Sequence, residues 1–237
     1  MHLVYKVVTK TNMLIGSLCQ VLIVYWSNYY AVLKYFLAPL IIFMVTLFME
    51  TTMQERKIHY IPLCNGKTAK IYQGAFGSGE HETTQACIKH LESMQLENKT
   101  VLDIGCGTGI LGICASLLGA KDVYGYYLFY NACKTAINCN ELNDITNNHI
   151  ICGLQDCIKA QFDIIFANIY FDILVDISGF IKDSLKSDGQ LVISGIPIEF
   201  NYDVRAHYEK KGFEVINLQL HEDFSTVKLK IAPSGLL

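Results

Sequence analysis

The 237-residue chain predicts an α/β fold: a mostly parallel seven-stranded sheet flanked by helices and finished by an antiparallel hairpin. Three observations carry this. Short runs rich in β-branched and aromatic residues alternate with stretches of helical period from residue 84 to residue 211, the pattern of parallel strands joined by crossover helices. The last two apolar runs, 213–220 and 225–231, have no helix between them and therefore pair as a hairpin. The run Val101-Leu-Asp-Ile-Gly-Cys-Gly-Thr-Gly-Ile110 reads as a buried strand ending in a glycine turn that opens a helix.

Taken in order, a lead-in over 51–73 holds one short strand near 57–61. Gly74-Ala-Phe-Gly-Ser-Gly-Glu-His-Glu-Thr-Thr84 follows as a flexible segment, and a helix over 84–94 starts where the hydroxyls of Thr83 or Thr84 can cap free amides. Val101, Leu102 and Ile104 make 100–105 a central strand. Ile110, Leu111, Ile113, Leu117 and Leu118 recur at helical spacing over 109–118, and Gly119 ends that helix. Beyond it come strand 122–127, helix 132–142, strands 149–152 and 162–168, helix 171–185, a turn at 186–189, strand 190–195 and helix 199–211.

Gly105, Gly107 and Gly109 stand at alternate positions, where a side chain would keep a ligand from the backbone. A dinucleotide fingerprint, Gly-x-Gly-x-x-Gly, needs its third glycine one residue later. Asp103, inside the strand end, would repel a pyrophosphate but suits an ammonium group. Both features favour S-adenosylmethionine over a nicotinamide dinucleotide. Ligands of open α/β sheets lie beyond the carboxyl ends of the strands, which is where Gly105, Gly107, Tyr127 and Asn168 fall, with Thr84 able to fold over from the preceding helix.

AFGSGEHETT, VLDIGCGTGILGI, FDIIFANI and GQLVISGI keep the order and spacing of a known set of motifs, and from about Gly74 onward the chain resembles the catalytic domain of the PrmA family. These are class I methyltransferases that modify amino groups of a large-subunit ribosomal protein. The resemblance implies a Rossmann-like class I methyltransferase domain over 74–237, S-adenosylmethionine as cofactor and a protein substrate. It also implies that Thr84, Gly105 and Asn168 contact the cofactor, and that transfer is an in-line displacement at an amine. Such transfer needs positioning more than a strong base. Asn168 is the candidate catalytic residue, its amide oxygen orienting an amine that must be neutral to react.

One motif departs from the family. Where the family has an acid at the end of the second strand, this chain reads Gly125-Tyr-Tyr-Leu-Phe-Tyr130, with Tyr127 in the acid's place. A carboxylate there accepts bonds from both ribose hydroxyls, each worth about 1.5–3 kcal/mol, so its loss corresponds to roughly two to three orders of magnitude in affinity. Tyr127 is read as a partial substitute, by one phenolic bond or by stacking. The alternative is a degenerate methyltransferase fold that acts as a non-catalytic binding protein. Tyr124, Tyr126, Phe129 and Tyr130 are read as packing residues. Asp156 is a candidate for the adenine edge, Tyr170 for the wall of the transfer channel, His81 and Glu82 for shaping the segment over the site, and Asp163 for satisfying backbone at its strand's start.

Composition bounds the remainder. Net charge is −3, with +2 over residues 1–50 and −5 beyond, and no lysine or arginine tract is present, which argues against a nucleic-acid partner. Nine cysteines show no zinc spacing, so they are read as reduced core residues of a cytoplasmic protein and no metal is expected. Residues 1–50 form an apolar segment. Within it 31–49 is close to the roughly 20 residues that span a bilayer, and 13–26 is a shorter apolar run flanked by Lys6 and Lys10. Two readings stand: a membrane hairpin over 13–49 that anchors the protein to the cytoplasmic face, or an extension upstream of a functional start at Met49 or Met53. The first seventy residues show nothing like the family's recognition domain, which leaves the acceptor open between a ribosomal protein, another protein amine and a small molecule.

Overall fold

Ile58–Pro62 (β1) and Thr68–Tyr72 (β2) pair as an antiparallel hairpin in the computed structural model, which describes residues 57–73 and 79–233. The apolar run 13–49, Met49, Met53 and most of the segment 74–79 lie outside the described residues. Contacts divide the chain into Met1–Arg56 and Lys57–Leu237, and the second unit holds all the elements below. Only β1 was expected. Asn65-Gly66, with Gly66 at φ 81°, is the turn signal for the hairpin, and Ala69 and Ile71, both fully buried, alternate with exposed neighbours in β2. Side-chain hydrogen bonds tie the hairpin to the main layer. Lys67 Nζ and Asn65 Nδ2 both donate to the Leu117 carbonyl at a helix carboxyl end, and the Asn143 side chain brackets the Lys70 peptide by accepting from its N–H and donating to its carbonyl.

The main sheet contains β3 (Thr100–Ile104), β4 (Asp122–Tyr127), β5 (Asn148–Cys152), β6 (Phe162–Asn168), β7 (Leu185–Pro197), β8 (Phe213–Leu220) and β9 (Phe224–Ile231). Their order is β5-β4-β3-β6-β7-β9-β8, parallel from β5 to β7 and antiparallel where β9 pairs β7 and β8. The expected seven-stranded sheet with its terminal hairpin is therefore present. The chain moves outward from β3 on one side and returns to place β6 on the other, so the carboxyl ends of β3 and β6 flank the topological switch point.

Helices cover both faces: α1 (Glu82–Glu92), α2 (Ile110–Leu117), α3 (Tyr130–Leu142), α4 (Phe171–Asp176), α5 (Ser178–Ser184) and α6 (Asn201–Lys210). Strand periodicity divides the core between them. Val101, Phe166 and Val192 face one layer with Leu91 and Ile113, while Leu102, Ile165 and Leu191 face the other with Leu174, Ile181 and Tyr208.

Several expected boundaries move for local reasons. The helix expected over 171–185 breaks at Ile177, where the Ser178 hydroxyl donates to the Val175 carbonyl and competes with the helical ladder. Leu185 already belongs to β7. The turn at 186–189 is a bulge inside that strand, since Phe162 pairs with Leu185 and Ile164 with Gln190. A 3₁₀ turn, Ile198–Phe200, precedes α6 in place of a first helical turn from 199.

The bulge carries Lys186 to Asp163. The Asp163 carboxylate accepts from the Thr100 N–H at 2.8 Å, the Thr100 hydroxyl at 2.7 Å and Lys186 Nζ at 2.9 Å, which fulfils the expectation that it satisfies backbone at the start of β6. Burial alone would raise its pKa, but these donors outweigh burial and hold it well below the usual carboxylate range. A depressed folded-state pKa gives stability that is present above the unfolded value, about 3.9, and lost as pH falls through the folded one. Asp163→Asn is thus expected to cost about 1–3 kcal/mol at pH 7. The difference from wild type should shrink below pH 4 in urea unfolding; a constant difference across that range would contradict the assignment.

Candidate active site

The glycine turn after β3 is held from above and below. The Gly105 and Cys106 N–H groups both donate to the Tyr126 carbonyl at 3.1 Å, and Gly105, Gly107 and Gly109 all take positive φ, 73°, 54° and 79°. A side chain at Gly105 would collide with Ile169, so the turn lies directly against the segment that follows β6.

Beneath the turn, Asp103 is 2% exposed and accepts a hydrogen bond from the Gly112 N–H in the first turn of α2. That helix has Gly109 at its N-cap and no side-chain cap there, so Asp103 supplies the missing acceptor from the strand below. Burial pushes its pKa up to about 7, with the Gly112 bond opposing the rise. Its Oδ2 has no partner among the described residues. The carboxyl therefore braces the turn and leaves one buried oxygen without a partner among the described residues, and an orphaned oxygen below a glycine cradle fits the ammonium end of S-adenosylmethionine.

Asn168 ends β6 at the switch point. Its Nδ2 donates to Thr84 Oγ1 at 3.3 Å, joining residues 84 positions apart. Thr84 is 5% exposed and lies inside α1, not at its cap. The cap is His81, whose Nδ1 accepts from the Thr83 N–H, while the Glu82 carboxylate receives the N–H groups of Glu222 and Asp223. These contacts fasten the start of α1 to the turn between β8 and β9. Opposite Thr84, Gly195 takes φ 79°, and a Cβ there would stand 2.8 Å from the Ile169 carbonyl and 3.3 Å from Asn168 Oδ1. Gly195 is thus a site residue that sequence reasoning missed; its signal was a glycine inside a strand, which marks close backbone approach.

Tyr127 closes β4, partly buried, with its ring 5.9 Å from that of Phe129. Burial raises its pKa, and the neighbouring Cys106, Tyr170 and Cys133 groups add to the rise, so the phenol remains a neutral donor. Tyr126 is buried and Tyr124 packs against Phe162 and His149, as expected of packing residues. Phe129 and Tyr130 do not reach the core: they are 65% and 52% exposed, because the chain leaves the sheet at Leu128 and begins α3 at Tyr130. Tyr170 is 68% exposed beside the site. Asp156 is exposed in a 3₁₀ turn, Gln155–Cys157, after β5.

A parallel sheet with this strand order, a glycine turn at the switch point and an asparagine ending the adjacent strand define the fold of class I S-adenosylmethionine-dependent methyltransferases. Residues 73–231 match the family described as Ribosomal protein L11 methyltransferase (PrmA), and the chain belongs to that family. It is 35% identical over 158 residues to a ribosomal protein L11 methyltransferase of Bacillus pumilus, covering 66% of this chain and 51% of the relative. It is 40% identical over 145 residues to that of Acetivibrio thermocellus, covering 61% and 46%. The chain thus spans about half the length of the curated relatives it matches. Among solved structures, a ribosomal protein L11 methylase from Lactobacillus delbrueckii subsp. bulgaricus superposes with TM-score 0.65 at 26% identity, over 74% of this chain and 98% of that one. The T. Thermophilus 16S rRNA N2 G1207 methyltransferase, solved with AdoMet and guanosine, shares the fold at 16% identity and TM-score 0.60, over 74% and 50%.

The raised Asp103 pKa has a measurable consequence. A carboxyl whose folded pKa exceeds its unfolded value contributes stability that is complete below about 3.9 and lost as pH rises through about 7. Asp103→Asn, which keeps an acceptor for Gly112, is expected to remove most of the stability decline between pH 4 and 7. Urea midpoints across that range check it, and an unchanged slope would place the titration elsewhere.

Proposed function

We propose that the chain is an S-adenosylmethionine-dependent methyltransferase acting on an amine of a protein. The observation that carries this reading is the placement of Asn168 beside the glycine turn at the switch point, held through Nδ2 by the buried Thr84. S-adenosylmethionine, when bound, supplies an activated methyl group on sulfonium, so the protein's work is positioning.

With Nδ2 engaged, Asn168 Oδ1 is left to accept a hydrogen bond from the incoming amine and aim its lone pair. An acceptor lysine, with a free pKa of about 10.4, reaches its neutral form as it leaves water for the site, since desolvation disfavours the ammonium. Thr84 holds Asn168, the Gly105–Gly109 turn lets the cofactor approach the backbone, and Asp103 braces that turn and offers Oδ2 to the cofactor's ammonium. Tyr127 takes the place of the ribose-binding acid as a neutral phenol. Family membership supports a protein amine as acceptor, and the names of the relatives point to ribosomal protein L11. A cytoplasmic setting fits an enzyme of this kind, and the eight described cysteines are free thiols. The ground for a membrane attachment through 13–49 is the length and apolarity of that sequence alone. Among the described residues no helix is long and apolar enough to cross a membrane.

Calorimetric titration of S-adenosylmethionine into the purified protein tests the reading, with micromolar binding as the expected result. Failure of a folded, monodisperse sample to bind would favour the non-catalytic alternative that Tyr127 raises. Tyr127→Asp is expected to tighten binding by about 10- to 100-fold, the share of two ribose bonds that one phenol does not recover; no change would mean the tyrosine is already an adequate partner. Asn168→Ala should abolish methyl transfer to ribosomal protein L11 while cofactor affinity stays within about tenfold. Retained turnover would remove Asn168 from the mechanism.

A further inference from the structure

Next to Asn168 the structure leaves an apolar face uncovered. Tyr170 and Ile173 at the start of α4, and Ile198 and Tyr202 around the start of α6, are 68%, 42%, 40% and 72% exposed. They form one surface, because the rings of Phe171 and Phe200 stack between them with centroids 4.0 Å apart and planes 10° apart. The surface borders the crevice directly. Tyr170 lies two residues after Asn168, and Gly195, inside β7, leaves no room for a Cβ beside the Ile169 carbonyl and Asn168 Oδ1.

Its charge is one-sided. Residues 169–176 and 196–204 hold Asp172, Asp176, Glu199 and Asp203 and no lysine or arginine. Asp172, Glu199 and Asp203 are exposed, and none of them takes part in the ion pairs found among the described residues. Arg205, the next cation along α6, has its Nε bonded to Asn201 Oδ1. Lys99, Lys121, Lys186 and Lys211 stand instead at the amino ends of β3, β4, β7 and β8, the opposite side of the sheet. A nucleic-acid backbone would be repelled at this face, and a second copy of the chain would set like charges against each other. An alkyl-ammonium side chain matches both features: its stem packs on exposed tyrosine rings and its head meets unneutralised carboxylates.

We propose that this face docks a lysine-rich segment of the acceptor protein, with cations flanking the target amine held by Asp172, Glu199 and Asp203 and their stems lying on Tyr170 and Tyr202. The inference rests on the methyl-transfer reading above for the role of the docked segment.

The test is fluorescence anisotropy of two labelled decapeptides of alternating sequence, one lysine–alanine and one glutamine–alanine, titrated with the full chain. Cofactor affinity is measured in parallel by calorimetry. The lysine peptide is expected to bind, with affinity falling as salt rises, and the glutamine peptide to bind much more weakly. The triple variant D172N/E199Q/D203N should weaken lysine-peptide binding about tenfold, and Y202A should weaken it as well, both with unchanged affinity for S-adenosylmethionine. Equal binding of the two peptides, wild-type binding by the triple variant, or no binding of the lysine peptide would overturn the proposal. Loss of cofactor binding by the wild-type chain, with the peptide contrast intact, would sink the methyltransferase reading and leave the docking face standing.

Discussion

The end of β3 and the first turn of α2 are joined by the bond from the Gly112 N–H to the buried Asp103 carboxyl, and the glycine turn between them is braced at that joint. The turn between them runs through three residues at positive φ, a conformation with little intrinsic preference to hold it. Fixing both of its ends removes that freedom. The cost is a carboxyl held away from water, visible in a pKa raised to about 7 and in an oxygen that has no partner among the described residues. The bond to Gly112 offsets part of that cost.

Around this joint the chemistry-bearing groups arrive from separate parts of the chain. Thr84 comes from α1, Tyr127 from the end of β4, Asn168 from the end of β6 and Gly195 from within β7. Parallel strands bring their carboxyl ends to one side of the sheet, so residues far apart in sequence converge without a dedicated loop. The antiparallel hairpin contributes as well, since the turn between β8 and β9 donates its backbone to Glu82 and so anchors the start of α1 over the site. The same geometry that gathers the polar groups leaves Tyr170, Tyr202 and their acidic neighbours exposed.

Strand and helix order, the terminal hairpin and the positions of Gly105 and Asn168 were legible in the sequence because each rests on a local pattern: apolar period, glycine placement or a short connection. Less legible were features decided by competition between local and tertiary contacts. Ile177 interrupts a helix whose apolar period is continuous, because Ser178 finds a carbonyl on its own helix. Thr83 and Thr84 look like caps, yet His81 takes that role and frees Thr84 to meet Asn168. Phe129 and Tyr130 have the composition of packing residues, but the chain turns away from the sheet before they can reach the core. The β1–β2 hairpin carried a usable signal in Asn65-Gly66, and its short strands obscured it.

The sequence by itself determined the fold, the family and the location of the crevice, since periodicity and ordered motifs are properties of the chain read locally. Tertiary structure alone decided what each residue does there. Asp103 became a brace as well as a candidate ligand because α2 lacks its own cap. Thr84 became a partner of Asn168 across 84 residues. An exposed aromatic and acidic rim formed because α4 and the turn before α6 meet at the Phe171–Phe200 stack. Those outcomes depend on which surfaces are left over after the core is filled, and no local pattern records that.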